Sequence, residues 1–225
     1  MTEAFVEKYV PHLRYDKAEP YSLKAVGYTV FHQKAKSLSC RLVLDMEPGE
    51  SVIEYAFYYD FDIQHLYDLE HAFVRVDGSG RIVGVICSFH GKFLNALIPG
   101  ETEFEGTHPV LYVQPGKHAF MPNPHYFQLA LDREKCCNVL AGSDGFLIAP
   151  MFEKRLSTDE VFDRKVERYI RERHAFIPTW EFTEEYPHLC RAEDVLIPWG
   201  QLEQIIVERM KDWKQRIDEE IGNEK

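Results

Sequence analysis

The chain has no run of apolar residues near the roughly 18 needed to cross a bilayer, and its opening, MTEAFVEKYV, lacks the basic start and apolar stretch of a secretory signal. These gaps set the expectation of a cytoplasmic protein without a transmembrane segment. Cysteine is scarce: Cys40, Cys87, Cys136, Cys137 and Cys190 are odd in number, irregularly spaced and without a Cys-x-x-Cys pair. That pattern excludes a disulfide framework and a cysteine-rich structural zinc module. Positive charge is short as well, with 26 basic residues against 37 acidic ones and a formal net charge of −11. No Lys/Arg-rich patch is interleaved with aromatics, so nucleic acid is excluded as a partner. Gly-x-Gly-x-x-Gly, Gly-Lys-Ser/Thr and Gly-x-Ser-x-Gly are all missing, which removes support for a nucleotide fold and for a serine nucleophile built on Ser88 and His90. There is no internal repeat and no low-complexity tract.

What is present is 225 residues, 45% hydrophobic, enough for a full core in one domain with an appendage. Val26–His32, Ser39–Leu44, Val52–Tyr59, Leu69–Val76, Arg81–Phe89 and Pro109–Val113 read as strands, being rich in aromatic and β-branched residues between turn signals. Asp77-Gly78-Ser79-Gly80 marks a hairpin. Past Pro150 the pattern changes. Ser157-x-x-Glu160 reads as a capping box ahead of the stripe Phe162, Val166, Tyr169 and Ile170. Pro198 opens a second helix, with Leu202, Ile205, Ile206, Arg209, Met210, Trp213 and Ile217 on one stripe and Gly222 at its end. Strands first and helices last imply a mainly β fold: an antiparallel two-sheet β-sandwich over 1–150, with two C-terminal helices over 151–225 packed on it. Docking on the sandwich is the expected fate of the last helix, with dimerisation as the alternative.

The chemistry collects between Ser51 and His90. Asp60, Asp62, His65, Asp68, Glu70 and His71 fall within twelve positions. Strand alternation puts Asp68 and Glu70 on one face in line with Ala72, Val74 and Val76, and turns His71 to the other. Two carboxylates at that spacing repel and raise one another's pKa unless a cation or proton intervenes. Mg²⁺, Ca²⁺ or Mn²⁺ would resolve the conflict, since hard ions prefer carboxylate oxygen. His65 enters the strand and Asp60 ends the preceding one, so both can approach the same point. If the hairpin loop is three residues, Asp68 pairs with His90, with Cβ atoms about 5 Å apart. If it is two, Asp68 faces Phe89 and His90 turns away. Cys136-Cys137, a vicinal pair, reads as two core or loop cysteines.

His65-x-x-Asp68-x-Glu70 resembles the core of the Gly-His-Arg-His-Asp-Trp-Glu heptapeptide of the necrosis- and ethylene-inducing peptide-like proteins. Ser88-Phe89-His90-Gly91-Lys92-Phe93 and Thr107-His108-Pro109 with Tyr112, Gly116 and His118-Ala119-Phe120 resemble two later segments of that family, in the same order. Tyr9-Val10-Pro11-His12-Leu13 with Asp16 and Glu19 is similar to the start of a vacuolar-sorting-type family that shares the Asp68-Leu69-Glu70-His71 core. The resemblance covers residues 9 to 120. It implies a β-sandwich with a divalent cation at one end, held by His65, Asp68, Glu70 and an upstream acid, Asp60 or in its place Asp62. His90 and His118 would line the same cavity. Leu69, Tyr67 and Gln64 depart from the heptapeptide, so the resemblance carries the metal centre and not the family's cytolytic, sphingolipid-binding role.

Two functions are expected from this set. One is a metal-dependent hydrolase in which the ion polarises a carbonyl or phosphoryl group while His90 or His118 acts as acid or base. The other is a non-catalytic module whose ion bridges to a small molecule, a glycan or a lipid headgroup, with Tyr58, Tyr59 and Tyr67 stacking on a sugar. A purely structural ion is the third. Oligomeric state is left open.

Overall fold

The computed structural model describes residues 2–130, 132–133, 135–183 and 191–222. Residues 184–190, inside the segment expected to form a loop before Pro198 and including Cys190, lie outside the described residues. Fourteen strands and three α-helices follow in chain order among the described residues. They are α1 Thr2–Glu7, β1 His12–Asp16, β2 Ala25–Phe31, β3 Ala35–Lys36, β4 Val43–Leu44, β5 Ser51–Phe61, β6 His65–Val76, β7 Ile82–Phe89 and β8 Lys92–Asn95. Then come β9 Phe104–Glu105, β10 His108–Val113, β11 Phe120–Met121, β12 Gly145–Phe146, α2 Glu160–Arg173, β13 Phe182–Thr183, β14 Leu196–Pro198 and α3 Trp199–Gly222.

The fold is mainly β, with helices at the C-terminal end. Its large sheet runs β14-β2-β5-β6-β7-β8 with β12 beside β6, and a smaller sheet runs β11-β10-β1-β13 with β9 beside β10. The expectation of purely antiparallel sheets is corrected. β1 lies parallel to β10, β12 to β6 and β14 to β2. Each parallel pair joins segments distant in sequence, so no turn signal announces it. The C-terminal segment likewise lends a strand to each sheet.

Alternation along the central strands makes three layers. Odd residues of β5 (Ile53, Tyr55, Phe57, Tyr59) and even residues of β6 (Ala72, Val74, Val76) meet Tyr15, Leu111, Val113 and Phe120 of the smaller sheet. On the opposite face, Ala56, Tyr58 and Phe61 pack with Phe162, Val166, Leu202, Ile206 and Met210 of α2 and α3. The last helix therefore docks on its own sheet. Nearer the β2–β5 turn, the small β3–β4 hairpin covers this face, and Leu44 packs with Phe31, Val52 and Phe73. Strand reading placed Ser39–Leu44 as one strand; only Val43–Leu44 is extended and paired. The capping box also moves. Asp159, not Ser157, caps α2, its carboxylate accepting from the Phe162 N–H at 2.8 Å.

α1 is tied to the sheet by a buried hydrogen bond, Tyr55 Oη donating to Val6 O at 2.6 Å. Tyr55→Phe is expected to lower stability by about 1 kcal/mol in urea denaturation, with an unchanged m-value.

Candidate metal centre

The β5–β6 turn builds the floor of the site. Asp62 and His65 close a tight turn through Asp62 N–H to His65 O at 2.9 Å, and Ile63 N–H is fixed on Gly116 O at 2.7 Å. This brings the turn against the 114–119 loop, where the His118 and Lys117 N–H groups both bond Gln114 O. Lys117 Nζ then lies 2.7 Å from both oxygens of Asp62. His118 is fully buried, and its ring stacks on Tyr59 with centroids 3.8 Å apart. Its Nδ1 meets Asp68 Oδ2 at 2.8 Å, and its Nε2 lies 3.4 Å from Glu19 Oε1, an ion-pair rather than a hydrogen-bond contact. Burial alone would depress the imidazolium. The Asp68 and Glu19 contacts overcome it and push His118 up to about 10.

Asp68 and Glu70 share the sandwich face of β6 with this loop. Glu70 Oε2 accepts from Ser88 Oγ. Burial, then the charge of Asp68, push the Glu70 carboxyl up to about 8. His65 is 9% exposed, its Nε2 lies 3.8 Å from Asp62 Oδ2, and its Nδ1 is buried without a hydrogen-bond partner. His71 points to the opposite sheet face, as its contacts with Phe73 and Phe93 show, and burial pulls it down to about 4. Tyr67, His90 and His118 are three of the four non-glycine residues with positive φ among the described residues, at +77°, +47° and +53°. The positive φ of His90 belongs to its hairpin turn; those of Tyr67, beside Asp68, and His118, in contact with it, are the kind of outlier that marks functional sites.

Asp60 goes elsewhere. The ladder pairs Tyr59 with Asp68, so those two share a face and Asp60 falls on the helix side. There Arg209 of α3 grips it, Nε to Oδ1 at 2.8 Å and Nη2 to Oδ2 at 2.5 Å, while Tyr58 Oη donates to Oδ1 at 2.8 Å. Burial would raise the Asp60 carboxyl; these bonds hold it below the usual carboxylate range. With both oxygens engaged on the wrong face, Asp60 does not join His65, Asp68 and Glu70. Asp62, the other upstream acid, lies beside His65, its Oδ2 3.8 Å from His65 Nε2.

The register expected for His90 is also corrected. The loop is three residues as preferred, Asp77 N–H bonding Arg81 O at 2.9 Å. A bulge then follows: Val76 pairs with Ile82 but Arg75 with Gly84. The ladder ends at Ala72–Cys87, and the Ser88 hydroxyl takes the His71 N–H instead. Asp68 therefore has no partner on β7. His90 sits exposed in the two-residue turn between Phe89 and Lys92, its Nε2 2.7 Å from Gln114 Oε1. Tyr58 and Tyr59 have no exposed surface and Tyr67 has 6%, so none of the three is open to stack on a sugar.

Sequence reasoning missed Glu19 as a site residue, although it stood in the opening motif, and missed Lys117, whose role depends on a loop conformation. It also missed Cys40 and Glu54. Among the described residues, Cys40, Glu54 and His71 form the His/Cys/Asp/Glu group whose ligand atoms all lie within 4.8 Å of one another, so these three could hold a metal. A cleft of about 250 Å³ opens beside both groups, lined by Cys40, Glu70, His71 and Ser88 among others.

No family profile matches the chain, and no curated protein matches it. Comparison with solved structures does find similar chains. The chain is similar to the necrosis and ethylene inducing proteins. Protein 2 of that kind, from the causal agent of cocoa's witches' broom disease, is 24% identical over 52% of this chain and 66% of its own, with a TM-score of 0.37. NLPPya in complex with glucosamine is 20% identical over 52% and 64%, with a TM-score of 0.36. The non-toxic HaNLP3 protein is 20% identical over 50% and 64%, with a TM-score of 0.34. This chain spans less than two thirds of the length of these necrosis and ethylene inducing proteins. Among the described residues no helix is long and apolar enough to cross a membrane.

Proposed function

We propose that the protein is a non-catalytic binding module that takes a divalent cation through His65, Asp68 and Glu70, and that the ion bridges to a hydroxyl-bearing ligand entering from the adjacent cleft. The observation that carries this reading is a charge imbalance. Four carboxyls (Glu19, Asp62, Asp68 and Glu70) surround two internal cations, Lys117 and His118, through the contacts and charge effects described above. Near neutral pH Glu70 keeps its proton beside the charge of Asp68, and a divalent ion would take the place of that proton and offset the excess of carboxyls. The donor types suit such an ion, since the orphaned Nδ1 of His65 and the partly open Glu70 supply imidazole and carboxylate atoms, and binding would draw His65, Asp68 and Glu70 together. When bound, the ion would supply Lewis-acid attraction for sugar or headgroup hydroxyls. Glu70 and Asp68 hold it, His118 keeps Asp68 fixed, and Ser88 orients Glu70.

The same geometry favours binding over hydrolysis. A general base must reach a substrate proton and titrate near the working pH. His118 is enclosed, stacked and held as a cation by two carboxylates, and His90 is spent on Gln114.

Calorimetric titration with Ca²⁺, Mg²⁺ and Mn²⁺ tests the reading. One site is expected, weakened at least tenfold by Glu70→Gln. Because a proton and the ion compete for Glu70, affinity should rise from pH 6 toward pH 8, by up to about tenfold per unit, and level off above. No heat with any of these ions, or a flat pH profile, would defeat the proposal. Glycan and headgroup arrays, with glucosamine and mannosamine included, should show binding that a chelator removes. Turnover of ester, phosphoester or glycoside substrates that Asp68→Ala abolishes would decide for the hydrolase.

A further inference from the structure

A second group of ligand-type side chains lies on the other face of the large sheet and has no part in the proposed function. Glu54 on β5 and His71 on β6 are diagonal neighbours there, since Glu54 pairs with Phe73 and His71 with Ala56. The 37–42 segment leading into β4 lays Cys40 across them. The Cys40, Glu54 and His71 ligand atoms fall within 4.8 Å of one another. Glu54 is 1% exposed, and its Oε2 is buried with no hydrogen-bond partner. The other oxygen, Oε1, accepts from Ser37 Oγ at 2.5 Å and from Ser39 Oγ. Ser39 Oγ also lies 2.8 Å from His71 Nε2, and Ser37 Oγ 3.2 Å from Cys40 Sγ. The two hydroxyls therefore touch all three side chains and hold them together, while one Glu54 carboxylate oxygen stays buried and unmatched. An unpartnered acceptor that deeply buried is costly, and a bound cation would satisfy it.

We propose that Cys40, Glu54 and His71 bind one zinc-type ion, which clamps the 37–42 segment to the large sheet. The donors select the metal. Thiolate and imidazole suit Zn²⁺ and its borderline-soft neighbours, whereas Ca²⁺ and Mg²⁺ seek all-oxygen sites. Three protein ligands leave a fourth position, and Cys40 and His71 both line the cleft of about 250 Å³, from which a water completes the set. On binding, the Cys40 thiol gives up its proton to solvent and the sulfur becomes the ligand.

Cobalt(II) titration of the purified full chain reads the site directly. One equivalent should give a thiolate-to-cobalt charge-transfer band, and zinc should bleach it. Cys40→Ser is the mild variant, because Cys40 is only half-buried and leaves both sheet residues in place. It should remove the band and weaken zinc binding at least about 100-fold, the upper end of what losing a mere supporting partner costs. Hydrogen exchange over residues 37–44 should slow with zinc in the native chain and not in the variant. Cys136→Ser should leave the band unchanged. The inference fails if no zinc binds, or if the band is missing in the native chain. It also fails if the band survives Cys40→Ser or disappears in Cys136→Ser. Calcium titration of Cys40→Ser separates the two sites: a lost zinc site with native calcium binding overturns neither reading, and a lost calcium response alone leaves this one standing.

Discussion

Arg209→Met is expected to lower the stability of the chain by roughly 2–4 kcal/mol. Asp60 is 4% exposed, and its charge is met by the guanidinium of Arg209, which reaches across from α3 with two parallel bonds. Removing the guanidinium leaves a buried carboxylate with the Tyr58 hydroxyl and the Trp213 indole N–H as its side-chain donors. The loss stays below the 3–5 kcal/mol of a fully enclosed pair because the Arg209 side chain keeps 40% of its surface in water. Asp60→Asn removes the charge and keeps an acceptor for Tyr58, so the double variant Asp60→Asn/Arg209→Met should be more stable than Arg209→Met alone. Urea denaturation of the four proteins gives the coupling as a double-mutant cycle. Strictly additive changes would mean that the pair does not hold the last helix to the sheet. A drop in calcium affinity in Asp60→Asn, with folding intact, would restore Asp60 as a metal ligand and overturn its placement on the helix face.

That pair shows how much could be read from the residues. Period-two alternation sorted Asp68 and Glu70 from His71, because a strand's two faces are fixed by geometry alone. The apolar stripe of the last helix was equally plain, and the one charged member written into it, Arg209, was the visible sign of a buried partner. Spacing misplaces Asp60, which is near Asp68 in sequence but not in space. Antiparallel pairing of β5 with β6 gives Tyr59, not Asp60, the face of Asp68. His90 was misplaced by one extra residue, the bulge near Val83, which leaves no trace in the pattern of apolar residues. The parallel pairs and the Cys40–Glu54–His71 group depend on long-range closure of the chain, and no local spacing encodes them. Lys117 and Glu19 belong to the same class, since a loop and an N-terminal segment meet at the site only in the folded sheet.

His118→Gln is expected to cost roughly 3–5 kcal/mol, since it leaves Asp68 and Glu19 buried without their cation. It also removes the ring that stacks on Tyr59. A loss of that size alone would not separate an ionic role from packing, but pH dependence does. His118 is raised to about 10 in the folded chain, against about 6.5 unfolded. Its contribution is therefore complete below about pH 6.5 and is lost as pH rises through 10. Glu70 is raised to about 8, so the folded state keeps its proton longer than the unfolded one. Stability falls with rising pH on its account from about 4.5 to 8 and no further. The window from pH 8 to 10 thus belongs to His118 and not to Glu70. With chelator present, native stability should decline across that window by up to about 1.4 kcal/mol per unit relative to His118→Gln. Parallel curves would mean that His118 is neutral in the folded chain. The cluster would then carry one positive charge fewer than the proposed binding of a divalent ion assumes.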